Sequence, residues 1–179
     1  ETHAHADPRV WLIENPGFVS GGSVRWFQDL FGGAAFADLD RDARASGPGS
    51  NGVTFLPTLS GSTAPRWNDR ARGVFAGLSL NHDRGAMFRA VLEGCSFALR
   101  DIVDRLGELG LGADEIRVVG GGARSRLWLQ MKADVTGHRV RVLADDEATA
   151  LGAAMLAGVG AGTFADLDEA VTALTTLDP

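Results

Sequence analysis

The 179-residue chain holds one cysteine, no tyrosine, no basic block and no long apolar run. Each of these absences closes off a class of function. Cys95 on its own cannot form an internal disulfide or supply a cysteine-rich zinc site, and this usage fits a reducing compartment. Lys and Arg number 17 against 23 Asp and Glu, for a net charge of −6, so no surface for nucleic acid or another polyanion is expected. One anion pocket built from backbone amides stays compatible with that charge. No segment approaches the roughly 20 apolar residues that cross a bilayer, and the polar start ETHAHADPR does not read as a secretory signal. No membrane partner is expected. With 45% apolar and 22% charged residues there is enough hydrophobic surface to bury one core, which excludes a disordered chain. Glycine is what the chain has in number, 24 of them. They follow no period, which excludes collagen, and they gather where strands meet helices.

The predicted elements alternate. Val10 to Glu14 is a short β-type run closed by Asn15-Pro16-Gly17. Ser20-Gly21-Gly22-Ser23 reads as a turn opening an amphipathic helix with Val24, Trp26, Phe27, Leu30 and Phe31, stopped at Gly32-Gly33. Residues 38–52, DLDRDARASGPGSNG, read as loop, or as a short helix and loop. Val53 to Leu56 is a strand candidate, and a long irregular stretch separates it from the run Val74 to Leu78. The longest period runs from about Arg84 to Leu109, with Phe88, Val91, Leu92, Cys95, Ala98, Leu99, Ile102, Leu106 and Leu109 on one face. On that phase Leu99 belongs in the core and Arg100 in solvent. Asp83 is the expected N-cap, Gly110 and Gly112 the stop, and Gly94 a point of close packing inside the helix. Beyond it come a strand from Ile116, the turn Gly120-Gly121-Gly122, a helix from Ser125 to Thr136, a strand at Val140 to Leu143 and a small-residue helix from Ala148 to Ala157. That order predicts an α/β layer in one domain spanning 1–179.

A strand that feeds a helix through glycines aims free N–H groups at one spot, where the helix dipole adds partial positive charge. A nucleotide can lie directly against such bare backbone. Two junctions of this kind occur, at Ser20–Ser23 and at Gly120–Gly122, and both can line one cleft. Neither is G-x-G-x-x-G nor a P-loop, so plain strand-to-helix packing explains the triple glycine equally well. Arg124 and Arg126 beside the second junction, and Arg25 beyond the first, can meet phosphate, stack on a base, or simply lie in solvent. His3, His5 and Asp7 put three metal-ligand types on one predicted strand face, at a chain start where ends fray, and no metal is assigned to them. Four scattered histidines form no Ser/His/Asp grouping, and no residue here is given a catalytic role. Asp145, Asp146 and Glu147 precede the Ala/Gly-rich helix, where acids stabilise the dipole. Small side chains let that helix lie close against a neighbour, as a hinging contact requires.

Taken in order, the motifs resemble one known domain. They are Phe55-Leu-Pro-x-Leu-x-Gly61, Pro65-x-Trp67, Ala71-Arg72-Gly73, Phe75-x-Gly77-Leu78 and Arg89-Ala90-x-x-Glu93-Gly94, then Gly120-Gly-Gly-Ala-Arg-Ser125, Trp128, Ala133-Asp134 and Glu147-Ala-x-Ala-Leu-Gly152-Ala-Ala. Over about residues 11–158 this set resembles the C-terminal domain of the FGGY carbohydrate kinases, and xylulokinase-like members most. The resemblance implies an α/β, ribonuclease-H-like fold of the actin, hexokinase and Hsp70 type, with a mixed sheet and flanking helices. It implies a cytoplasmic enzyme that moves the γ-phosphate of ATP to a sugar hydroxyl, with Mg²⁺ in the whole protein and a pentulose such as xylulose as substrate. Gly21 and Arg25 stand where glycerol-kinase-like relatives contact the adenine nucleotide, and Gly122 and Arg126 at the matching positions after the adenosine strand. Gly121 lies against the same nucleotide. The implied partner is an N-terminal sugar-binding domain of the same enzyme, carrying the first phosphate motif, the sugar pocket and the catalytic aspartate. A homodimer stays open. Many members read Gly-Glu-Arg-x-Pro-x-Trp-Asp where this chain has Gly61-Ser-Thr-Ala-Pro65-Arg-Trp67-Asn68. That departure weakens xylulose and leaves open a polyol such as glycerol or erythritol, or a non-catalytic nucleotide-binding module.

Overall fold

The computed structural model describes residues 2–15, 20–63, 67–144 and 147–178. Pro16, Gly17, Pro65, Asp145 and Asp146, which carried part of the turn, motif and helix-start readings, lie outside the described residues.

Strands β1 (Thr2–Ala4) and β2 (Trp11–Ile13) form an antiparallel hairpin with Thr2 opposite Ile13. Only His3 of the H-x-H-x-D pattern lies in a strand, and it approaches Glu14 at 3.4 Å. Asp7 sits in the connection, where Arg9 bonds it at 2.6 Å and holds its carboxyl down at about 2. The three ligand types therefore do not share a strand face. Among the described residues no group of three metal-ligating side chains gathers anywhere.

Helix α1 (Ser20–Leu30) begins at Ser20, so Gly21 and Gly22 lie in its first turn and not in a turn before it. Gly32 and Gly33, at φ 69° and 73°, end it in the left-handed region open to glycine. Helix α2 (Phe36–Ser46) decides the reading of 38–52 in favour of a helix followed by a loop, and it starts two residues before that segment. Its inward stripe is only Leu39 and Ala43, both fully buried, one turn apart. Arg41 bonds Asp38 at 2.6 Å on the outer side, while Arg84 binds Asp42 and holds its carboxyl below the usual range. These solvated pairs kept the loop reading open.

After a 3-10 turn at Ser50–Gly52, β3 (Thr54–Leu56) pairs antiparallel with β4 (Val74–Ala76). The Phe55 and Phe75 rings meet at 4.7 Å, and Trp26 of α1 stacks on Phe55 at 6.0 Å. Helix α3 (Arg84–Glu108) is the central post, capped by Asp83, whose carboxylate accepts from the Ala86 amide at 2.9 Å. From Gly85 to Ser96 it is surrounded, with α1, α2, α4 and β3 all against it. The single apolar face expected from the spacing thus becomes complete burial in the first half. The second half is only partly covered: Phe97 is 52% exposed, Leu99 half-buried and Leu109 58% exposed. Arg100 is exposed but bonds Asp104 at 2.6 Å and the Val135 carbonyl at 2.8 Å.

Strand β5 (Glu115–Val118) runs parallel to β6 (Arg139–Leu143), with α4 (Arg126–Thr136) as the crossover, and β7 (Leu177–Asp178) joins β6 antiparallel. The strands fall into three short sheets, this mixed one among them. Helices α5 (Ala148–Gly160) and α6 (Leu167–Leu174) pack on each other, and Asp166 caps α6 by accepting from the Glu169 amide at 2.9 Å. A Cβ on Gly158 would meet the Phe164 ring at 2.7 Å, so the small residue is needed there. No helix among the described residues is long and apolar enough to cross a membrane.

The burial gradient along α3 gives a direct check. Leu92→Ala empties a surrounded site and is expected to cost about 2–5 kcal/mol, and Leu99→Ala on the half-covered turn about half of that or less. Urea denaturation reads both; equal losses would mean the second half of α3 is as well packed as the first.

Candidate functional site

A cleft of about 600 Å³ is lined by α1, α2, α3 and the connection from β5 to α4. Val24, Phe36, Phe88, Leu92 and Trp128 give it apolar walls, and Arg25, Asp40, Arg124 and Ser125 are its polar members. Local geometry after β5 explains one side. Gly120 sits at φ 74°, the chain makes a 3-10 turn over Gly121–Arg124, and Ser125 starts α4 as its N-cap. The Ser125 hydroxyl accepts from the Trp128 amide at 3.1 Å and donates to the Asp40 carboxylate at 2.6 Å. One hydroxyl thus caps α4 and fastens it to α2 across 85 residues of sequence.

Of the residues named from sequence, Gly21, Arg25, Gly121 and Gly122 line this cleft together. Arg126 does not; it is exposed on the first turn of α4, while its neighbour Arg124 takes a place in the lining. Arg25 also reaches Asp29 at 3.6 Å in an exposed pair. A Cβ built on Gly21 or Gly121 meets nothing within 4 Å among the described residues, so the missing side chains leave space above both backbones. Gly122 has a different reason. Its φ is not positive, and a Cβ there would stand 3.0 Å from the Trp128 ring. Bare backbone at Gly122 makes room for the indole. Sequence reasoning missed Phe36, Ala37 and Asp40, because no element was assigned to residues 34–37 and residues 38–52 read as loop, or as a short helix and loop. The one-turn pair Leu39 and Ala43 was the signal that could have found them.

The Trp128 indole is held from several sides. Its Nε1–H donates to the Leu92 carbonyl at 3.1 Å, and the Lys132 Nζ sits 3.5 Å above the ring centroid. Lys132 is only 7% exposed, and its amine has no hydrogen-bond partner among the described residues. Burial pushes this lysine down to about 8 and pushes the nearby Cys95 thiol up to about 12. With the folded value below the ordinary 10.5, the unfolded chain holds the extra lysine proton above about pH 8 and stability rises with pH, until the raised Cys95 thiol, still protonated in the fold, opposes the rise above about pH 9.

Such a cleft suits a ligand with a flat apolar part and an anionic part. Aromatic and aliphatic walls receive the first, and exposed amides with two rim arginines receive the second.

The chain resembles proteins of known kind over most of its length. Residues 2–161 match the model of the FGGY family of carbohydrate kinases, C-terminal domain. A glycerol kinase of Gloeobacter violaceus is 40% identical over 91% of this chain and 33% of its own length. The crystal structure of xylulose kinase from Rhodospirillum rubrum superposes with a TM-score of 0.77 at 34% identity, covering 91% of this chain and 33% of that one. Plasmodium falciparum glycerol kinase with ADP gives 0.76 at 30% identity over 89% of this chain and 32% of that one. The chain therefore spans about a third of the length of the relatives it matches, and it shares their actin- and hexokinase-like ATPase fold. The ordered motifs, the fold and the match over residues 2–161 agree, and the chain belongs to the FGGY family of carbohydrate kinases as a C-terminal domain.

Proposed function

We propose that this chain forms the nucleotide-binding wall of an ATP-dependent kinase that phosphorylates a hydroxyl of a small carbohydrate. The observation that carries the reading is the pair of bare backbones at Gly21 and Gly121, opening into the same apolar cleft. A purine placed between the two backbones meets the apolar walls, while Arg25 and Arg124 of the same lining attract phosphate. ATP, when bound, supplies the transferable γ-phosphoryl group. Asp40, the carboxylate of the lining, is already hydrogen-bonded by Ser125. The general base and the magnesium ligands are therefore assigned to an N-terminal sugar-binding half, and the chain alone is expected to bind nucleotide weakly and transfer nothing. A pentulose such as xylulose is the favoured acceptor, on the likeness to xylulose kinases. A polyol is the second reading, favoured by the 40% identity to a glycerol kinase and by Ser62, Thr63 and Asn68 at the departing motif positions.

Gly121→Val is the test. The new side chain enters the cleft without striking any protein atom near the Cβ, so the fold should survive. Calorimetry with a non-hydrolysable ATP analogue is expected to show at least a tenfold loss of affinity, about 1.4 kcal/mol, with unchanged far-UV circular dichroism. A folded Gly121→Val chain that binds the analogue as tightly as the parent would sink the assignment. Gly122→Val is the poorer probe, since its clash with Trp128 would disturb the wall itself.

A further inference from the structure

A second feature of the same wall calls for its own explanation. Lys132 is buried within α4, an unusual place for an ammonium group, and among the described residues neither a carboxylate nor a carbonyl receives it. Its ammonium lies over the Trp128 ring, and Trp128 lines the cleft. We propose that Lys132 is a positioning residue for the nucleotide: its ammonium, seated on the indole, fixes that wall and lends it positive charge, so that nucleotide affinity follows the protonation of this amine.

This proposal rests on the nucleotide reading above. Three contacts fix the indole, and each comes from a different part of the fold. Leu92 of α3 takes the Nε1–H, the bare Gly122 leaves room for the ring edge, and Lys132 covers one face. A cation on a desolvated indole face is held strongly enough to matter. It is also a buried charge without a counter-ion, which a fold keeps only at a cost. An anionic ligand in the adjoining cleft supplies the missing opposite charge. The low dielectric between them keeps that attraction from being screened as it would be in water.

The neighbouring groups leave Lys132 as the source of a pH response in the alkaline range. Cys95 on α3 is the titratable group whose charge bears on it, and burial keeps that thiol protonated to about 12. Glu93 and Arg89 of the same helix are bound to each other. Arg25 and Arg124 in the cleft, and Arg139 and Arg141 on β6, keep their charge throughout. Asp40 faces Ser125, and His138 makes its contact with the Thr136 carbonyl. The amine, pushed down to about 8, is the group that changes.

The test uses ADP, whose terminal phosphate is already ionised at neutral pH. Calorimetry at about pH 7 and about pH 9.5 should show Kd rising roughly tenfold for the parent chain, the loss of one desolvated cation–π contact and its charge. Lys132→Met should bind weakly at both values and lose the pH step, and Lys132→Arg should bind tightly at both. Two-dimensional NMR of the indole N–H groups gives a readout that needs no ligand: the Trp128 signal should titrate near pH 8 in the parent and stay flat in Lys132→Met. ADP binding with no pH step, or a Lys132→Met chain that keeps the step, overturns the role of Lys132 while the nucleotide reading stands. An indole that titrates in a chain binding no ADP at any pH removes the nucleotide reading, and this inference with it.

Discussion

Gly94→Ala should cost the chain more than about 3 kcal/mol or prevent folding, while Gly107→Ala on the same helix should stabilise it by roughly 0.5–1 kcal/mol. The two glycines share a helix and a substitution, and they differ in what lies against them. A Cβ on Gly94 would stand 2.1 Å from the Phe55 carbonyl oxygen and 3.0 Å from its carbon. Backbone meets backbone there, so no rotamer change can relieve the clash; β3 would have to move off α3. That movement would strip Phe55 from the aromatic group with Trp26 and Phe75, and open the core around Leu92. Losses of this size come from few mechanisms, overpacking against fixed backbone among them. Gly107 has nothing within 4 Å, and alanine there removes only the backbone freedom that glycine gives the unfolded chain. Urea denaturation followed at 222 nm measures both. A Gly94→Ala chain that unfolds at the parent concentration would show that β3 can retreat, and that the glycine is not required by packing.

The same contrast shows what a sequence can disclose. The Asp83 cap and the β5–turn–α4 unit were legible because each acts over a few residues, and Gly94 because a glycine inside a helix marks close packing even where its partner, Phe55, is distant in sequence. Gly120 must turn left-handed, Ser125 must cap, and both can be read from the local string. Helix α2 was legible only as one of two readings and without its first turn, since two buried residues a turn apart are a thin signal among nine others. With α2 went Phe36, Ala37 and Asp40, so the cleft was foreseen from its glycine sides only. The phase of α3 placed Leu99 on the correct face. Periodicity treats every turn as equally covered, whereas burial depends on which distant elements arrive, and past Ser96 fewer of them do. Lys132 is the sharpest case. A lysine in an amphipathic helix reads as solvated, and only the packing of α3 against α4 puts it under cover. The cleft-lining residues named from sequence are bare backbone at Gly21, Gly121 and Gly122 with Arg25 beside them; those missed are mostly side chains that long-range packing brings in.

Glu93→Ala is expected to cost about 3–5 kcal/mol, because it strands a buried guanidinium. Arg89 is 7% exposed, and its Nε donates to Glu93 Oε1 at 2.7 Å. The same carboxylate does more than pair. Oε1 also accepts the Gly49 amide at 3.0 Å, Oε2 accepts the Ser50 hydroxyl at 2.8 Å, and Arg89 reaches back to the Ala43 carbonyl at 3.2 Å. These bonds close the turn after α2, where Gly49, Ser50 and Asn51 all stand at positive φ, of 84°, 51° and 53°. Two non-glycine residues in that region carry strain of order 1 kcal/mol each, which the carboxylate must outweigh. His82 supports the far side: its Nδ1 accepts the Ser79 amide at 2.8 Å, which leaves its Nε2–H to donate to the Asn51 carbonyl at 3.0 Å. The turn in turn sets where α2 ends, and α2 brings Phe36 and Asp40 to the cleft. Loss of Glu93 should therefore lower stability and also loosen a wall of the site. A cycle with Arg89→Met, Glu93→Ala and the double variant separates the two causes. If the stranded charge dominates, the double variant should regain well over 1 kcal/mol relative to Glu93→Ala, since an apolar side chain no longer needs the carboxylate. If the turn dominates, it should regain little, and Ser50→Gly in the Glu93→Ala background should recover stability instead, by relieving strain at positive φ. A Glu93→Ala chain that loses less than about 1 kcal/mol would mean that neither the guanidinium nor the turn depends on this carboxylate.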